Sequence, residues 1–175
     1  MKKIYVLAGK ARTGKDSVAK MMKDSYSVET VLTYSCTMYL KKYIKQIYGW
    51  DGKEETKPRG ILQSLGREIK KQYPNFFIDR MEEDIKFLSN YCDIIIVTGV
   101  RLEKELAFLK EKFDAVLIKT EKSLVDNNLT EEQKNDITET DVDNYISYDY
   151  IINNDNGLKE LKKQVKNIME VERWI

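Results

Sequence analysis

The residue types best suited to chemistry lie in a short segment near the start of this 175-residue chain. Residues 9–16 read GKARTGKD and fit the pattern G-x-x-x-x-G-K, with Asp16 where the pattern has serine or threonine. A buried strand is predicted before the segment and a helix after it. Glycines let such a loop turn several backbone N–H groups toward one phosphate, and the positive end of the following helix adds to the attraction. The segment therefore predicts a polyphosphate-binding loop, with an ordinary glycine-containing turn as the alternative.

Individual loop residues have predicted roles in this site. Lys15 would reach the β- and γ-phosphates of a nucleotide and neutralise charge that builds up during transfer. Asp16 has two interpretations, since its carboxylate would either hold Mg²⁺, directly or through water, or cap the helix. Ser17 is placed to hydrogen-bond the α-phosphate. The residues predicted to contact ATP in this segment are Gly9, Lys10, Ala11, Arg12, Thr13, Gly14, Lys15, Asp16 and Ser17.

The composition excludes several kinds of catalysis. The chain contains no histidine, which rules out Ser-His-Asp and Cys-His nucleophiles, histidine-ligated metals and histidine proton shuttles. Its two cysteines, Cys36 and Cys92, are far apart and outside any CxxC pattern, which argues against a disulfide framework or a zinc site. Any chemistry must therefore use lysine, arginine, carboxylates, hydroxyls, backbone amides or a hard metal ion.

Charge is distributed unevenly along a chain whose formal net charge is only +1. Residues 1–80 carry 17 basic and 8 acidic side chains, a net charge of +9, whereas residues 121–143 carry 2 basic and 8 acidic ones, a net charge of −6. This asymmetry indicates an anionic ligand in the N-terminal half, with a mixed lysine-rich surface as the alternative. Phosphates of small ligands account for the basic half better than nucleic acid does. Nothing in the sequence indicates an oligomeric state.

The hydrophobic pattern alternates between strands and helices. Strands are predicted at Lys3–Leu7, Val31–Tyr34, Asp93–Thr98, Ala115–Lys119 and Tyr148–Ile152. Helices are predicted after the loop and over Met38–Tyr48, Arg59–Gln72, Phe76–Ser89, Leu102–Phe113 and Leu158–Met169. This alternation predicts an α/β fold with a parallel sheet covered on both faces and ligands at the carboxyl ends of its strands. The acidic stretch 121–143 has few apolar residues and is predicted to be a mobile excursion.

Two observations bear on location. The longest aliphatic run is Ile94–Val97, far below the roughly 20 residues that span a bilayer. The apolar stretch that follows Lys3 is shorter than the core of a signal peptide. We therefore expect a cytoplasmic protein with no membrane partner.

Several segments resemble the deoxynucleoside monophosphate kinases and, more distantly, animal-type phosphomevalonate kinase. Residues 9–16 have the GKxxxGKD form of the loop in these families. Residues 57–66 (KPRGILQSLG) are similar to the helix tK-x-R-x-x-LQ-x-x-G of the former family, and residues 98–105 (TGVRLEKE) to its turn D-V-R-F-x-x-E. Residues 137–139 and 149–154 are similar to its ending H-x-S/T-E … D-x-x-I-x-N-D. Together these segments cover nearly the whole chain.

The resemblance implies a P-loop kinase with the nucleoside monophosphate kinase fold, a three-layer α/β/α sandwich of about five parallel strands. It implies one domain over residues 1–175, with a helical acceptor-binding region at 35–90 and a lid at 120–145. The implied reaction transfers phosphate from ATP, with Mg²⁺, to a (deoxy)nucleoside monophosphate. Dephospho-coenzyme A and phosphomevalonate are alternative acceptors, and a nucleotide-binding module without transfer is a third interpretation.

The resemblance also implies roles for residues outside the loop. Arg59, Gln63 and Arg67 follow at i, i+4 and i+8 and would face the acceptor, unless that helix face is an ordinary solvated stripe. The opposite face is predicted to carry Ile61, Leu62, Leu65 and Ile69. Arg101 would clamp a phosphate or form a salt bridge with Glu105. Further acceptor-side candidates are Lys41, Lys42 and Arg80, and the adenine-side candidates, in what is otherwise a plain turn, are Asn153, Asn154 and Gly157.

Three departures from the family pattern affect the expected mechanism. Gly99 replaces a strand-end aspartate, so Asp16 is expected to carry more of the metal binding. Residues 137–139 lack the histidine of the family. No arginine lies between Arg101 and Arg173, so a lysine would replace the arginine expected over the transferring phosphoryl group. The lid candidates are Lys119, Lys122 and Lys134.

Overall fold

The computed structural model describes residues 3–123 and 129–173. Its strands form one parallel sheet and are β1 (Lys3–Ala8), β2 (Val31–Ser35), β3 (Ile94–Thr98), β4 (Val116–Glu121) and β5 (Tyr150–Asn153). Their spatial order is β2-β3-β1-β4-β5. Because β1 lies between β3 and β4, the loop that follows β1 lies at the point where the sheet changes its winding direction, where ligands of such sheets bind.

Helices cover the sheet and extend beyond it. They are α1 (Lys15–Asp24), α2 (Met38–Tyr48), α3 (Arg59–Gln72), α4 (Phe76–Leu88), α5 (Glu103–Phe113), α6 (Glu131–Lys134), α7 (Ile137–Thr140) and α8 (Gly157–Arg173), with a 3₁₀ turn at Asp141–Asp143 between α7 and β5. Within the described ranges, no helix is both long and apolar enough to cross a membrane.

The core consists of two apolar clusters, one on each face of the sheet. Alternate residues of β1 point to opposite faces, so that Val6 packs in the cluster with α4 and α5 while Leu7 packs in the cluster with α1 and α8. Every residue of β3 is buried, as expected for a strand covered on both faces. This arrangement is the predicted three-layer α/β/α sandwich.

Two regions lie outside the three layers. Helices α2 and α3 contact each other, and Gly66 is the buried residue of α3. The residues of α3 that line the cleft beside the sheet are Arg59, Leu62, Gln63, Gly66 and Lys70. Within the stretch 121–143, predicted to be a mobile excursion, residues 129–143 form α6, α7 and the 3₁₀ turn and bury Leu129, Glu139 and Val142. We call residues 129–143 the lid; residues 124–128 of the predicted lid lie outside the described residues.

Candidate active site

The predicted phosphate loop connects the buried end of β1 to the start of α1. Gly9 and Gly14 have φ values of +135° and +102°, a region that side chains disfavour, and Arg12 also has a positive φ of 60°. A Cβ on Gly9 would overlap the carbonyl oxygen of Thr120 on β4. The hydroxyl oxygens of Thr13 and Thr120 are 2.8 Å apart, which holds the loop against β4. The glycines therefore serve both the turn and the close approach to β4.

Lys15 lies across this loop. Its Nζ donates to the carbonyl oxygen of Gly9 at 2.8 Å and to that of Lys10, and it is 3.4 Å from Thr13 Oγ1. Burial and the nearby Arg101 lower the pKa of Lys15 to about 7. A nucleotide phosphate placed in the loop would favour the ammonium form, so the site is suited to an anionic ligand.

Asp16 is exposed and lines the cleft beside Lys15. The N-cap position of α1 is Gly14, and Asp16 lies in the first turn, where the helix dipole favours its charge. Among the described residues, no group of three acidic or cysteine side chains is arranged to hold a metal. One carboxylate together with phosphate oxygens and water is a ligand set that Mg²⁺ accepts, so Asp16 fits an ion that binds with the nucleotide.

Arg101 follows β3 and also lines the cleft. Its backbone N–H donates to Glu105 Oε2 at 2.9 Å. Glu105 therefore binds the main chain of Arg101 and does not form the side-chain salt bridge that was one of the two predicted roles of Arg101. The guanidinium Nη1 lies 3.2 Å from Glu139 Oε1 of α7. Gly99, where the family pattern has aspartate, has a φ of +80°, and a Cβ there would lie 3.1 Å from Ser35 Oγ. A side chain at position 99 would therefore be strained.

The cleft between the loop and helices α2 and α3 is markedly cationic. It encloses a cavity of about 160 Å³. The positively charged side chains that line it are Arg12, Lys15, Lys41, Lys57, Arg59, Lys70 and Arg101, and the negatively charged ones are Asp16, Glu54, Glu105 and Glu139. Apolar lining residues include Leu40, Leu62 and Phe77. An excess of positive charge beside an apolar wall suits a ligand that has both phosphate and a ring.

Helix α3 contributes part of the predicted acceptor set. Arg59 lines the cleft and pairs with Glu54, and Gln63 lines it with its amide 3.4 Å from Thr138 Oγ1 of the lid. The prediction was wrong for Leu62, which was expected on the opposite face but lines the cleft as well. Arg67 points elsewhere, because its guanidinium pairs with Asp136 at the start of α7.

Several other predicted residues lie outside the cleft lining in the part of the chain that the structure describes. Arg80 pairs with Glu83 at 2.6 Å, and Lys134 pairs with Glu131 at 2.7 Å. The other members of this group are Lys42, Ser17, Lys119 and Lys122, the loop residues Gly9, Lys10, Thr13 and Gly14, and the adenine-side candidates Asn153, Asn154 and Gly157. Of these, Lys119 stays connected to the loop, since Asp143 lies 2.9 Å from Lys119 Nζ and 2.7 Å from Lys10 Nζ.

The residues after β5 also reach the loop. Asn154 Nδ2 donates to the carbonyl oxygen of Thr13 at 3.0 Å. Asn153 is held by Gln164 of α8, whose Oε1 accepts from the Asn153 N–H at 3.0 Å. Gly157 begins α8 with a φ of +77°. These contacts place the β5 end beside the loop and leave the adenine role of the three residues a prediction.

Residues at or beside the cleft that were not predicted include Lys57, Glu139 and Asp143. Lys57 lies within the 57–66 segment that was compared with the kinase helix, and Glu139 ends the 137–139 segment, so both were within reach of motif comparison. Asp143 has no such signal. Its place between Lys10 and Lys119 arises only from the folded lid.

The sheet order, the glycine loop after β1 and the helices that flank it define the fold of P-loop kinases. Similar solved structures are shikimate kinases. The enzyme from Aquifex aeolicus is 16% identical with a TM-score of 0.51, covering 97% of this chain and 96% of that one. The enzyme from Bacteroides thetaiotaomicron is 11% identical (TM-score 0.49, covering 98% of each chain), and that from Acinetobacter baumannii, in complex with shikimate, is 10% identical (TM-score 0.45, covering 99% and 93%).

No protein-family model and no curated protein matches the chain. At 16% identity the similarity to the Aquifex aeolicus enzyme establishes a shared fold. The narrower resemblance to deoxynucleoside monophosphate kinases still depends on the sequence segments described above.

Proposed function

We propose that this protein transfers the γ-phosphoryl group of ATP to a (deoxy)nucleoside monophosphate. The observation that carries the proposal is the pairing of two cationic groups on one cleft. Lys15 and Arg101 lie at the loop, and Lys41, Lys57 and Arg59 lie on the side of α2 and α3. Two such groups suit two ligands that each bring a phosphate, and a nucleotide base suits the apolar wall.

The reaction needs positioning and charge neutralisation more than covalent chemistry. An oxygen of the acceptor phosphate attacks the γ-phosphorus in line, a P–O bond forms, and the bond to the β–γ bridging oxygen breaks as ADP leaves. The acceptor oxygen is already anionic, so no general base is required and the absence of histidine is no obstacle. Lys15, Arg59 and Arg101 stabilise the charge on the transferring group. Asp16 would hold Mg²⁺ together with the nucleotide, and the ion would supply further neutralisation of charge.

The lid has a role in this proposal as well. Residues 129–143 cover the loop and exclude water from the transferring phosphoryl group, which limits hydrolysis. Of the three lysines expected to replace the family arginine, we favour Lys119 on β4, because Asp143 of the lid joins it to Lys10 of the loop.

The direct test is a coupled assay of ADP release over a panel of acceptors. The panel contains ribo- and deoxyribonucleoside monophosphates, dephospho-coenzyme A, phosphomevalonate, and shikimate because the similar structures are shikimate kinases. We expect at least one nucleoside monophosphate to raise ADP release well above the ATPase background. Activity with another acceptor alone would show that the protein acts on that class of substrate and not on nucleoside monophosphates.

A second candidate function is nucleotide binding without transfer. Two features of the sequence favour it: Gly99 stands where the family pattern has an acid, and no arginine lies between Arg101 and Arg173. This function predicts that ATP raises the melting temperature while no acceptor in the panel is phosphorylated.

A further inference from the structure

One carboxylate joins the lid to both halves of the phosphate site. Glu139 of α7 has a side chain that is only 7% exposed. Its Oε2 accepts from the backbone N–H of Ala11 in the loop at 2.8 Å, and its Oε1 lies 3.2 Å from Nη1 of Arg101 at the end of β3. Ala11 and Glu139 are 128 residues apart, so the contact depends on the packing of the lid against the loop.

The contact with Glu139 restricts the conformation of the Arg101 side chain. An arginine side chain has several rotatable bonds, and its guanidinium must be fixed before it can bind a phosphate with defined geometry. Glu105 fixes the main chain of Arg101, and the lid fixes the guanidinium through Glu139 Oε1 and the carbonyl oxygen of Thr138 at 3.5 Å. Glu139 thus supplies the only carboxylate that the described residues bring to this guanidinium.

We propose that Glu139 is a positioning residue that fixes the Arg101 guanidinium relative to the phosphate loop. It acts through Arg101 and Ala11 and not as a base, because a phosphate acceptor has no proton that must be removed and both carboxylate oxygens are already engaged. Its effect on the rate of transfer rests on the proposed function, whereas its effect on ATP binding follows from the loop contact alone.

A double-mutant cycle tests whether Glu139 acts through Arg101. Glu139→Gln keeps the shape of the side chain and removes its charge, and Arg101→Met removes the guanidinium. We expect Glu139→Gln to lower kcat about tenfold in the wild-type background and less than about twofold in the Arg101→Met background, because residues that act together are not additive. Equal effects in both backgrounds would overturn the proposal.

Asp136→Asn is the matched control. Asp136 is a lid carboxylate with the same 7% side-chain exposure, but it pairs with Arg67 and caps α7. Asp136 makes no direct contact with the Arg101 guanidinium, so the effect of its substitution on kcat should depend on Arg101→Met much less than that of Glu139→Gln. Coupling of Asp136 to Arg101 as strong as that of Glu139 would show a general loosening of the lid and would overturn the proposal.

ATP affinity at a fixed pH gives a readout that does not need an acceptor. Glu139 joins the Ala11 N–H of the loop to the Arg101 guanidinium. Glu139→Gln should therefore weaken ATP binding severalfold in the wild-type background and less than about twofold in the Arg101→Met background. Equal weakening in both backgrounds, or none in either, would overturn the proposal.

The two readouts separate this inference from the proposed function. If ATP binds and no acceptor is phosphorylated, the proposed function fails, while the coupling of Glu139→Gln to Arg101→Met in ATP affinity still decides the role of Glu139. If Glu139→Gln does not fold, Glu139→Asp replaces it: the shorter carboxylate keeps the charge but cannot span Ala11 and Arg101, so ATP affinity should weaken by about tenfold. Unchanged affinity in that variant would overturn the proposal.

Discussion

Lys15 shows how the environment of one side chain defines a site. Its amine donates to loop carbonyl oxygens that belong to its own turn, in surroundings that remove much of its hydration. Burial and Arg101 make the ammonium form costly in the free protein, which is why the pKa of Lys15 falls to about 7. A polyphosphate would reverse this balance by adding negative charge within reach of the amine.

This reversal predicts proton uptake on ATP binding. At pH 8 the amine of Lys15 is mostly neutral in the free protein and charged in the complex, so binding should take up close to one proton. ATP affinity should correspondingly fall as the pH rises above about 7. Titration calorimetry in buffers of different ionisation enthalpy measures the uptake. A binding heat that does not depend on the buffer would contradict the prediction, and Lys15→Met provides the control without uptake.

Glu139 illustrates the residue contacts that a sequence does not reveal. Residues 137–139 resemble a kinase motif, but the partners of the Glu139 carboxylate lie 128 and 38 residues away along the chain. Such pairs depend on how the lid folds over the sheet. Local patterns predicted the phosphate loop because all of its residues are consecutive.

At the scale of elements, helix α3 allows the requirements of helix stability and those of ligand binding to be tested separately. Its bounds, Arg59–Gln72, agree with those predicted from the sequence. Gly66 lies in its middle, at a cost in helix propensity, and a Cβ there would lie 3.6 Å from Leu40 Cδ1, an ordinary contact distance. The residues packed around position 66 therefore leave room for a side chain. The remaining explanation for glycine at this position is the cleft that it lines.

Gly66→Ala should accordingly stabilise the fold and weaken acceptor binding. We expect the free energy of unfolding to rise by up to about 1 kcal/mol, because alanine has the higher helix propensity. We expect KM for the acceptor to rise severalfold while KM for ATP stays the same. Denaturant unfolding and steady-state kinetics measure the two effects.

Gly60→Ala is the comparison for this variant. Gly60 belongs to the same helix and its Cβ would lie 3.6 Å from Gln133 Nε2, but Gly60 is not among the residues that line the cleft. It should leave both KM values unchanged. An unchanged acceptor KM in Gly66→Ala would mean that the acceptor does not approach this part of α3.

The other elements were predicted with errors that have physical causes. The last strand was predicted at Tyr148–Ile152 but begins at Tyr150, because the Tyr148 hydroxyl donates to the carbonyl oxygen of Val142 and Asp149 accepts from the N–H of Leu117. The short lid helices were missed because few apolar residues mark them. Their caps were the available signal, since Thr130 accepts from the N–H of Gln133 and Asp136 from that of Thr138.

At the scale of the whole molecule, the sheet order determines which residues meet. The alternation of strands and helices predicted a parallel sheet, and runs of aliphatic residues predicted its buried strands. The order β2-β3-β1-β4-β5 was not accessible, because it depends on long-range packing. That order brings the loop after β1, Arg101 after β3 and Lys119 on β4 to one edge.

The charge asymmetry has its explanation at this scale as well. Acidic lid residues meet the basic stretch 1–80 in three places: Asp136 pairs with Arg67, Glu139 accepts from the N–H of Ala11, and Asp143 pairs with Lys10. The basic and acidic stretches of the sequence are therefore brought into contact beside the cleft. The cleft remains cationic after these pairs are formed, in agreement with an anionic ligand.

The central claim is that the loop at residues 9–16 binds ATP with Lys15 as its cation, and the affinity of Lys15→Met for ATP tests it most directly. Lys20→Met, an exposed lysine on the same helix α1, is the control. We predict that Lys15→Met weakens ATP binding by about 100-fold, since a charge-assisted hydrogen bond is worth about 2–3 kcal/mol, while Lys20→Met leaves it within about twofold. Equal affinities of wild type and Lys15→Met, with both variants folded, would contradict the account.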